Sequence, residues 1–263
     1  MFAIIWPWIG IGAAGILLLV LFCTDGLQAN RSISRWLDLP WLVWLGLAAC
    51  LLHAFEEHGI DLRGVPYAFR GAMCAALGYR DPISCPVPLS FITTANVGAV
   101  WGAGLLSALL ARRWPAIGLS VFAIPLVNAL VHIGAAVGEG RYNPGLVTAC
   151  LVFLPLSLWA LFVAVTRAGI AKHALAFVVA GGVIFHLILM GSLQAYLRDY
   201  IGLWPLNILQ VLNAFVPAAL MYVGTLSRPA PPPRVVPPPP GASPPRRKAS
   251  ARSRARPEQV DSI

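Results

Sequence analysis

Charge is what this chain lacks. Asp, Glu, Lys and Arg make up 11% of its 263 residues, against about 25% in an ordinary soluble domain. So little charge cannot cover the surface of a water-soluble globule, and that class is excluded. Signatures of common soluble chemistries are missing too. There is no Walker-type loop, dinucleotide fingerprint or nucleophile elbow, so nucleotide and serine-hydrolase chemistry are unsupported. The net charge is +9, but residues 227–263 hold eight Lys/Arg and two acids, so +6 belongs to that tail and +3 to the loops. The basic balance is therefore not a nucleic-acid surface, and no nucleic-acid partner is expected.

What is present is apolar. Hydrophobic residues are 58% of the chain, and mean hydropathy is +0.75. Seven runs, 2–23, 39–57, 89–111, 115–137, 145–166, 173–197 and 203–226, each have the roughly 20 residues a helix needs to cross about 30 Å of hydrocarbon. The expected fold is all-α: a polytopic membrane helical bundle of about seven transmembrane helices, six being the alternative count. It occupies residues 1–226, with the lipid bilayer as its first partner. The first run lacks the basic start of a secretion signal and is longer than such signals use, so it reads as a retained span. Pro125, Pro155 and Pro217 fall inside runs, as kinks that membrane helices tolerate. Trp6, Trp8, Trp36, Trp41, Trp101, Trp114 and Trp204 lie near run ends, the place of interfacial anchors.

With seven spans and a cytoplasmic tail, the inside segments carry fourteen Lys/Arg and the outside segments five. This predicts a cell-membrane protein with its N-terminus outside and its C-terminus inside. The tail, 227–263, has eleven prolines and no means of burying a core. It reads as disordered, partly polyproline II, and able to touch anionic lipid.

Against this background, His53-Ala54-Phe55-Glu56-Glu57 ends the second run. Positions i, i+3 and i+4 put His53, Glu56 and Glu57 on one helical face. Burying such groups costs several kcal/mol each unless they are paired or bound. Asn128 and His132 stand at i, i+4 in the fourth run, and Tyr142-Asn143-Pro144-Gly145 forms the turn after it. The topology carries all three groups to the same face of the membrane, whichever way the protein is inserted.

These three groups, in this order, resemble the signature motifs of the HXXEE domain family, over about residues 40–165. The resemblance implies a multi-pass membrane protein and brings no established activity with it. The residues themselves suggest a divalent metal such as zinc or iron. Two imidazoles and a carboxylate suit either ion. His53, Glu57 and His132 are the expected ligands. Glu56 is the expected general base, Asn128 an orienting group and Tyr142 an oxyanion donor. His58, about 100° around an ideal helix from Glu57, ranks below them. The enzyme reading is metal-assisted hydrolysis of a lipid-like or amphipathic substrate. A transporter using the same residues as a proton or cation relay is the alternative, and a structural or sensory protein the third.

Plainer readings exist for each group. The glutamates can pair with Arg63 or Arg141 at a watered interface, Asn128 and His132 can clamp helices, and Asn143 and Pro144 can start a helix. His186 reads as a lone, internally bonded histidine, and Asn207, Gln210 and Asn213 as a polar seam. Cys23, Cys50 and Cys150 read as small buried hydrophobes. Cys74 and Cys85 share the 58–88 loop and can form a disulfide if it is extracytoplasmic. Within that loop, the amphipathic stretch 66–78 is a candidate lid.

Overall fold

A computed structural model describes residues 1–79, 81 and 84–226; the expectations for the 227–263 tail lie outside the described residues. The long apolar runs become helices: α1 (Phe2–Cys23), α2 (Leu39–His58), α4 (Leu89–Leu110), α5 (Pro115–Glu139), α6 (Leu146–Thr166) and α7 (Ala174–Leu197). A short α3 (Ala68–Ala76) lies in the loop before α4. The seventh run is two helices, α8 (Leu203–Asn213) and α9 (Val216–Leu226), bent by 40°. The molecule is thus a helical membrane bundle, with six full-length spans among the described residues, or seven if the bent pair counts as one.

The helix ends follow local chemistry. The Asp38 carboxylate accepts the Trp41 backbone N–H at 2.9 Å and so caps α2. Pro115 opens α5 at a first-turn position, where its missing N–H costs nothing. Gly140, at φ +64°, closes α5 in the left-handed conformation that favours glycine.

The prolines act where the sequence put them. Each follows an irregular stretch: a 3-10 turn at Ser120–Phe122 before Pro125, π-helical bonding at Ala149–Phe153 before Pro155, and the α8–α9 break before Pro217. Proline removes one ladder hydrogen bond and crowds the carbonyl a turn earlier, so the preceding turn tightens, widens or opens. A second π-helical stretch, Val97–Gly104, contains three glycines instead of a proline.

α2 and α5 form the centre: 67% of α2's most apolar stretch is buried and 56% of α5's, against 22–28% for the other full-length spans. Trp41, Leu42 and Val43 of α2 pack with Leu119 and Phe122 of α5, Val163 of α6 and Val178 of α7. Two of the tryptophans expected at the interface belong to this interior. Trp41 is buried and donates its indole N–H to the Leu21 carbonyl at 3.2 Å, and Trp6 is buried against His58. Trp8, Trp36, Trp114 and Trp204 are exposed, as anchors must be. Cys23 and Cys150 are on the outer surface rather than buried, because the faces that carry them point away from neighbouring helices. The polar seam forms as expected: Gln210 donates to Ser192 at 2.8 Å, Asn213 to the Phe185 carbonyl at 2.9 Å and Asn207 to Ser90 at 3.2 Å.

Candidate functional site

The ends of α2 and α5, the turn 140–145 and the first turn of α6 meet at one end of the bundle. α3 lies beside them. Its Phe69 ring meets His58 edge-to-face with centroids 4.9 Å apart, and Trp6 of α1 covers another side at 5.2 Å. Glu57 is therefore buried, at 5% exposure, rather than lying at a watered interface. Cys74 of α3 and Cys85 are disulfide-bonded, their Cα atoms 5.9 Å apart. The bond ties α3 to the segment entering α4.

Glu57 is ringed by histidines. Its Oε1 is 3.1 Å from His132 Nε2 and 3.5 Å from His53 Nε2, and its Oε2 is 3.2 Å from His58 Nε2. His53, Glu57 and His132 each offer one ligand atom, and these atoms lie within 4.8 Å of one another. No other set of three or more such side chains could hold a metal ion among the described residues.

The opposite edges of two of these rings are tied by hydrogen bonds. Asn143 donates its amide to the His132 backbone carbonyl at 3.0 Å, which aims its Oδ1 at His132 Nδ1, 2.6 Å away. Since Oδ1 only accepts, His132 Nδ1 carries the proton. Thr148 has one hydroxyl proton and gives it to Glu56 Oε2 at 2.6 Å. It must then accept from His53 Nδ1 at 2.7 Å, so that nitrogen is protonated as well. Both rings thus carry a proton on Nδ1 and direct Nε2 at Glu57. This is the outer-shell pattern that orients metal-binding histidines.

Glu56 is used differently from the expected general base. Its carboxylate accepts four hydrogen bonds: Tyr142 OH at 3.0 Å, Val147 N–H at 3.1 Å, Thr148 N–H at 2.8 Å and the Thr148 hydroxyl. Four is about the number a carboxylate can accept. Glu56 thus caps the start of α6 from another helix, with the helix dipole in its favour. Asn143 and Pro144 were the expected helix start, but α6 begins at Leu146 and Asn143 spends its side chain on His132. Tyr142 spends its one proton on Glu56 and accepts the Leu62 N–H at 3.2 Å, so it has none left for an oxyanion. Burial, together with the neighbouring Glu56 carboxylate, pushes its phenol up to about 12.

Asn128 is placed between two histidines, its Nδ2 2.9 Å from His53 Nε2 and its Oδ1 3.4 Å from His186 Nε2. His186 is therefore not isolated; it also donates Nδ1–H to the Gly182 carbonyl at 2.7 Å. Arg63 and Arg141 pair with Asp61 and Glu139, not with the motif glutamates.

Gly145 explains the last motif position. A Cβ there would lie 2.7 Å from His132 Cε1, 2.8 Å from His53 Cε1 and 3.0 Å from Glu57 Cγ, and its φ is +97°. Only glycine lets the turn close over both imidazoles.

Sequence reasoning missed Thr148 and ranked His58 too low. A threonine in an apolar helix carries no signal of its own. The i, i+3 step from His53 to Glu56, extended across to the start of α6, was the available clue. His58 was demoted on an ideal backbone angle, yet the flexible Glu57 side chain swings its second oxygen toward it.

The fold and the convergent His/Glu group define a helical membrane protein with a buried polar centre. Residues 44–160 match the family described as protein of unknown function with HXXEE motif. The matched segment contains His53, Glu56, Glu57, Asn128, His132, Tyr142, Asn143 and Gly145, that is, all three motif groups. No curated protein and no solved structure matches the chain.

Proposed function

We propose that the chain is a metal-dependent membrane enzyme of hydrolase type, with His53, Glu57 and His132 as the ligands. One observation carries this reading. Two Nε2 atoms and a carboxylate oxygen converge within 4.8 Å of one another, each imidazole being held from behind by a hydrogen bond at its Nδ1. Such a group offers the donor set of a divalent cation. Two imidazoles and one carboxylate, with a position left open, suit catalytic zinc, and non-haem iron is the other fit. A bound ion would polarise a carbonyl or phosphoryl oxygen and bring the pKa of a bound water toward 7.

The chain's own groups have distinct parts in this reading. Glu56 and Thr148 hold the His53 tautomer, and Asn143 holds that of His132. Asn128, 2.9 Å from His53 Nε2 and 3.4 Å from His186 Nε2, would flank an ion held there and orient His53. With Glu56 saturated, His58 is the histidine at the carboxylate that the ligand set leaves over, its Nε2 3.2 Å from Glu57 Oε2 and 3.2 Å from the Asn96 amide. The substrate is lipid-like or amphipathic and enters from the bilayer. The site faces the outside of the cell membrane: the Lys/Arg distribution supports this, and so does the Cys74–Cys85 disulfide, a bond of oxidising compartments. Reporter fusions at residues 75 and 240 test the orientation, and a cytoplasmic 75 overturns it.

Metal analysis of gently purified protein is the decisive experiment. About one ion per chain is expected in the wild type, with loss in His53→Ala, Glu57→Gln and His132→Ala. Folded wild-type protein without metal sinks the proposal. A second reading, a proton relay, draws on the row His186, Asn128, His53, Glu57 and His58. It predicts pH-driven flux in proteoliposomes that Glu57→Gln abolishes and chelators leave unchanged.

A further inference from the structure

Beside the His/Glu group is a cavity of about 780 Å³, within the usual size of a small-molecule site. His132, Tyr142 and Asn143 form part of its wall, so it adjoins the candidate metal ligands directly. Its chemistry is two-sided. One side is apolar: Ile4 of α1, Phe69 and Met73 of α3, Val131 and Ala135 of α5, and Met190 of α7. Val131 and Met190 are exposed on membrane-spanning helices, so this side opens toward lipid. Val131 and Ala135 are eight and four residues from the end of α5, which places the apolar side roughly 6–12 Å below the loop layer.

The other side carries Arg63 and Arg141 together with the acid Glu139. Arg63 engages Asp61 through Nε and one terminal nitrogen, and its guanidinium lies over the Tyr142 ring, 5.1 Å from the centroid. The Asp61 side chain is 0% exposed and is turned inward, accepting the N–H groups of Arg63 and Val65. Arg141 engages Glu139 through Nε alone. The remaining terminal nitrogens of both arginines have no protein partner among the described residues, and the two side chains are 58% and 67% exposed. The fork of donors on arginine matches carboxylate and phosphate oxygens. A third arginine of the wall, Arg70, is committed to the Val87 and Cys85 carbonyls.

We infer that this cavity binds an anionic amphiphile with one acyl chain, its head on Arg63 and Arg141 and its chain between α3 and α5. As the identity of the substrate, this rests on the enzyme reading above; as a binding site, it stands without it. A carboxylate or a phosphate head satisfies the same donors.

The test is photo-crosslinking of the full chain in phosphatidylcholine nanodiscs. The probes are a diazirine fatty acid, a diazirine lysophosphatidate and, as the uncharged control, a diazirine monoacylglycerol. Both acids should label residues 68–76 and 131–139, saturably, at least tenfold more than the monoacylglycerol. Arg63→Gln with Arg141→Gln should erase that preference, while Ala135→Trp should reduce labelling by all three probes. Both sets of substitutions fall on exposed or half-buried positions, and unchanged melting confirms that the variants fold. Equal labelling by acids and monoacylglycerol in the wild type overturns the inference, as does an unchanged preference in the double variant. Labelling spread evenly over every lipid-facing helix reports bulk lipid and overturns it too. Metal content measured on the same samples separates the two proposals: saturable acid labelling of metal-free wild type keeps the pocket and removes the enzyme.

Discussion

Glu56 faces the first turn of α6, and Glu57, its neighbour in the chain, faces the imidazoles of α2 and α5. One carboxylate receives four hydrogen bonds from neutral donors. The other is met by three ring nitrogens. Both are buried, yet they solve the cost of burial in opposite ways. Glu56 is compensated by the fold and so belongs to stability. Glu57 is compensated only by imidazoles that can also ligate a cation, and so belongs to binding. Burial of an acid therefore says little about its role until its donors are identified.

The sharpest structural challenge to this division is Gly145→Ala, which loads both sides at once. A left-handed alanine and three close contacts should cost about 3 kcal/mol, read as a lower melting temperature together with weakened metal binding. A variant that melts like the wild type would show that the turn does not press on the imidazoles. Next comes Glu56→Ala, which strips the Val147 and Thr148 N–H groups of their acceptor. A loss of about 2–3 kcal/mol is expected. Glu57→Gln should abolish metal binding but destabilise the metal-free protein less than Glu56→Ala. If the order of those two stabilities is reversed, the comparison fails.

Thr148→Val tests the link between the two carboxylates. It should lower stability by about 1–2 kcal/mol and metal affinity by roughly 10–100-fold. Nitrogen NMR of the imidazoles should show His53 no longer confined to its Nδ1–H tautomer. An unchanged tautomer would mean that Thr148 is only packing. The smallest effect belongs to Tyr142→Phe, about 1 kcal/mol for one hydrogen bond. Its phenol is raised from 10.0 to about 12 in the folded protein, so folding favours the protonated form. The stabilisation is complete below pH 10 and lost as pH rises through about 12. The melting difference between wild type and Tyr142→Phe should shrink over that window, and a constant difference argues against the Glu56 contact.

Much of this was legible in the sequence. Hydropathy located the spans within a few residues, because a membrane helix must be apolar for about 20 residues and little else imposes such a run. Topology then brought His53, Glu57, Asn128 and His132 together without any knowledge of packing. The details that escaped depend on side-chain reach and backbone irregularity. The role of Glu56 turns on N–H groups of α6, which no residue type announces. The burial of Glu57 depends on Trp6 arriving from α1, distant in the chain, and on the loop folding Phe69 of α3 back over the site. The prolines warned of irregular turns, but not whether each would tighten, widen or break.

One of those turns governs the site from a distance. His53 is held on two sides by α6: Thr148 at the ring edge and Phe153 against the ring face, with centroids 4.3 Å apart. On a regular α-helix, residues five apart diverge by about 140°, too far to grip one imidazole. The π-helical bonding at Ala149–Phe153 absorbs one extra residue and cuts the divergence to about 40°. The spacing between these two residues thus acts as a phase setting for the vice around His53. Deleting a single lipid-facing residue there, such as Leu151, would restore a regular helix and rotate one jaw away. A change that touches no polar group would then loosen the histidine as thoroughly as losing Thr148.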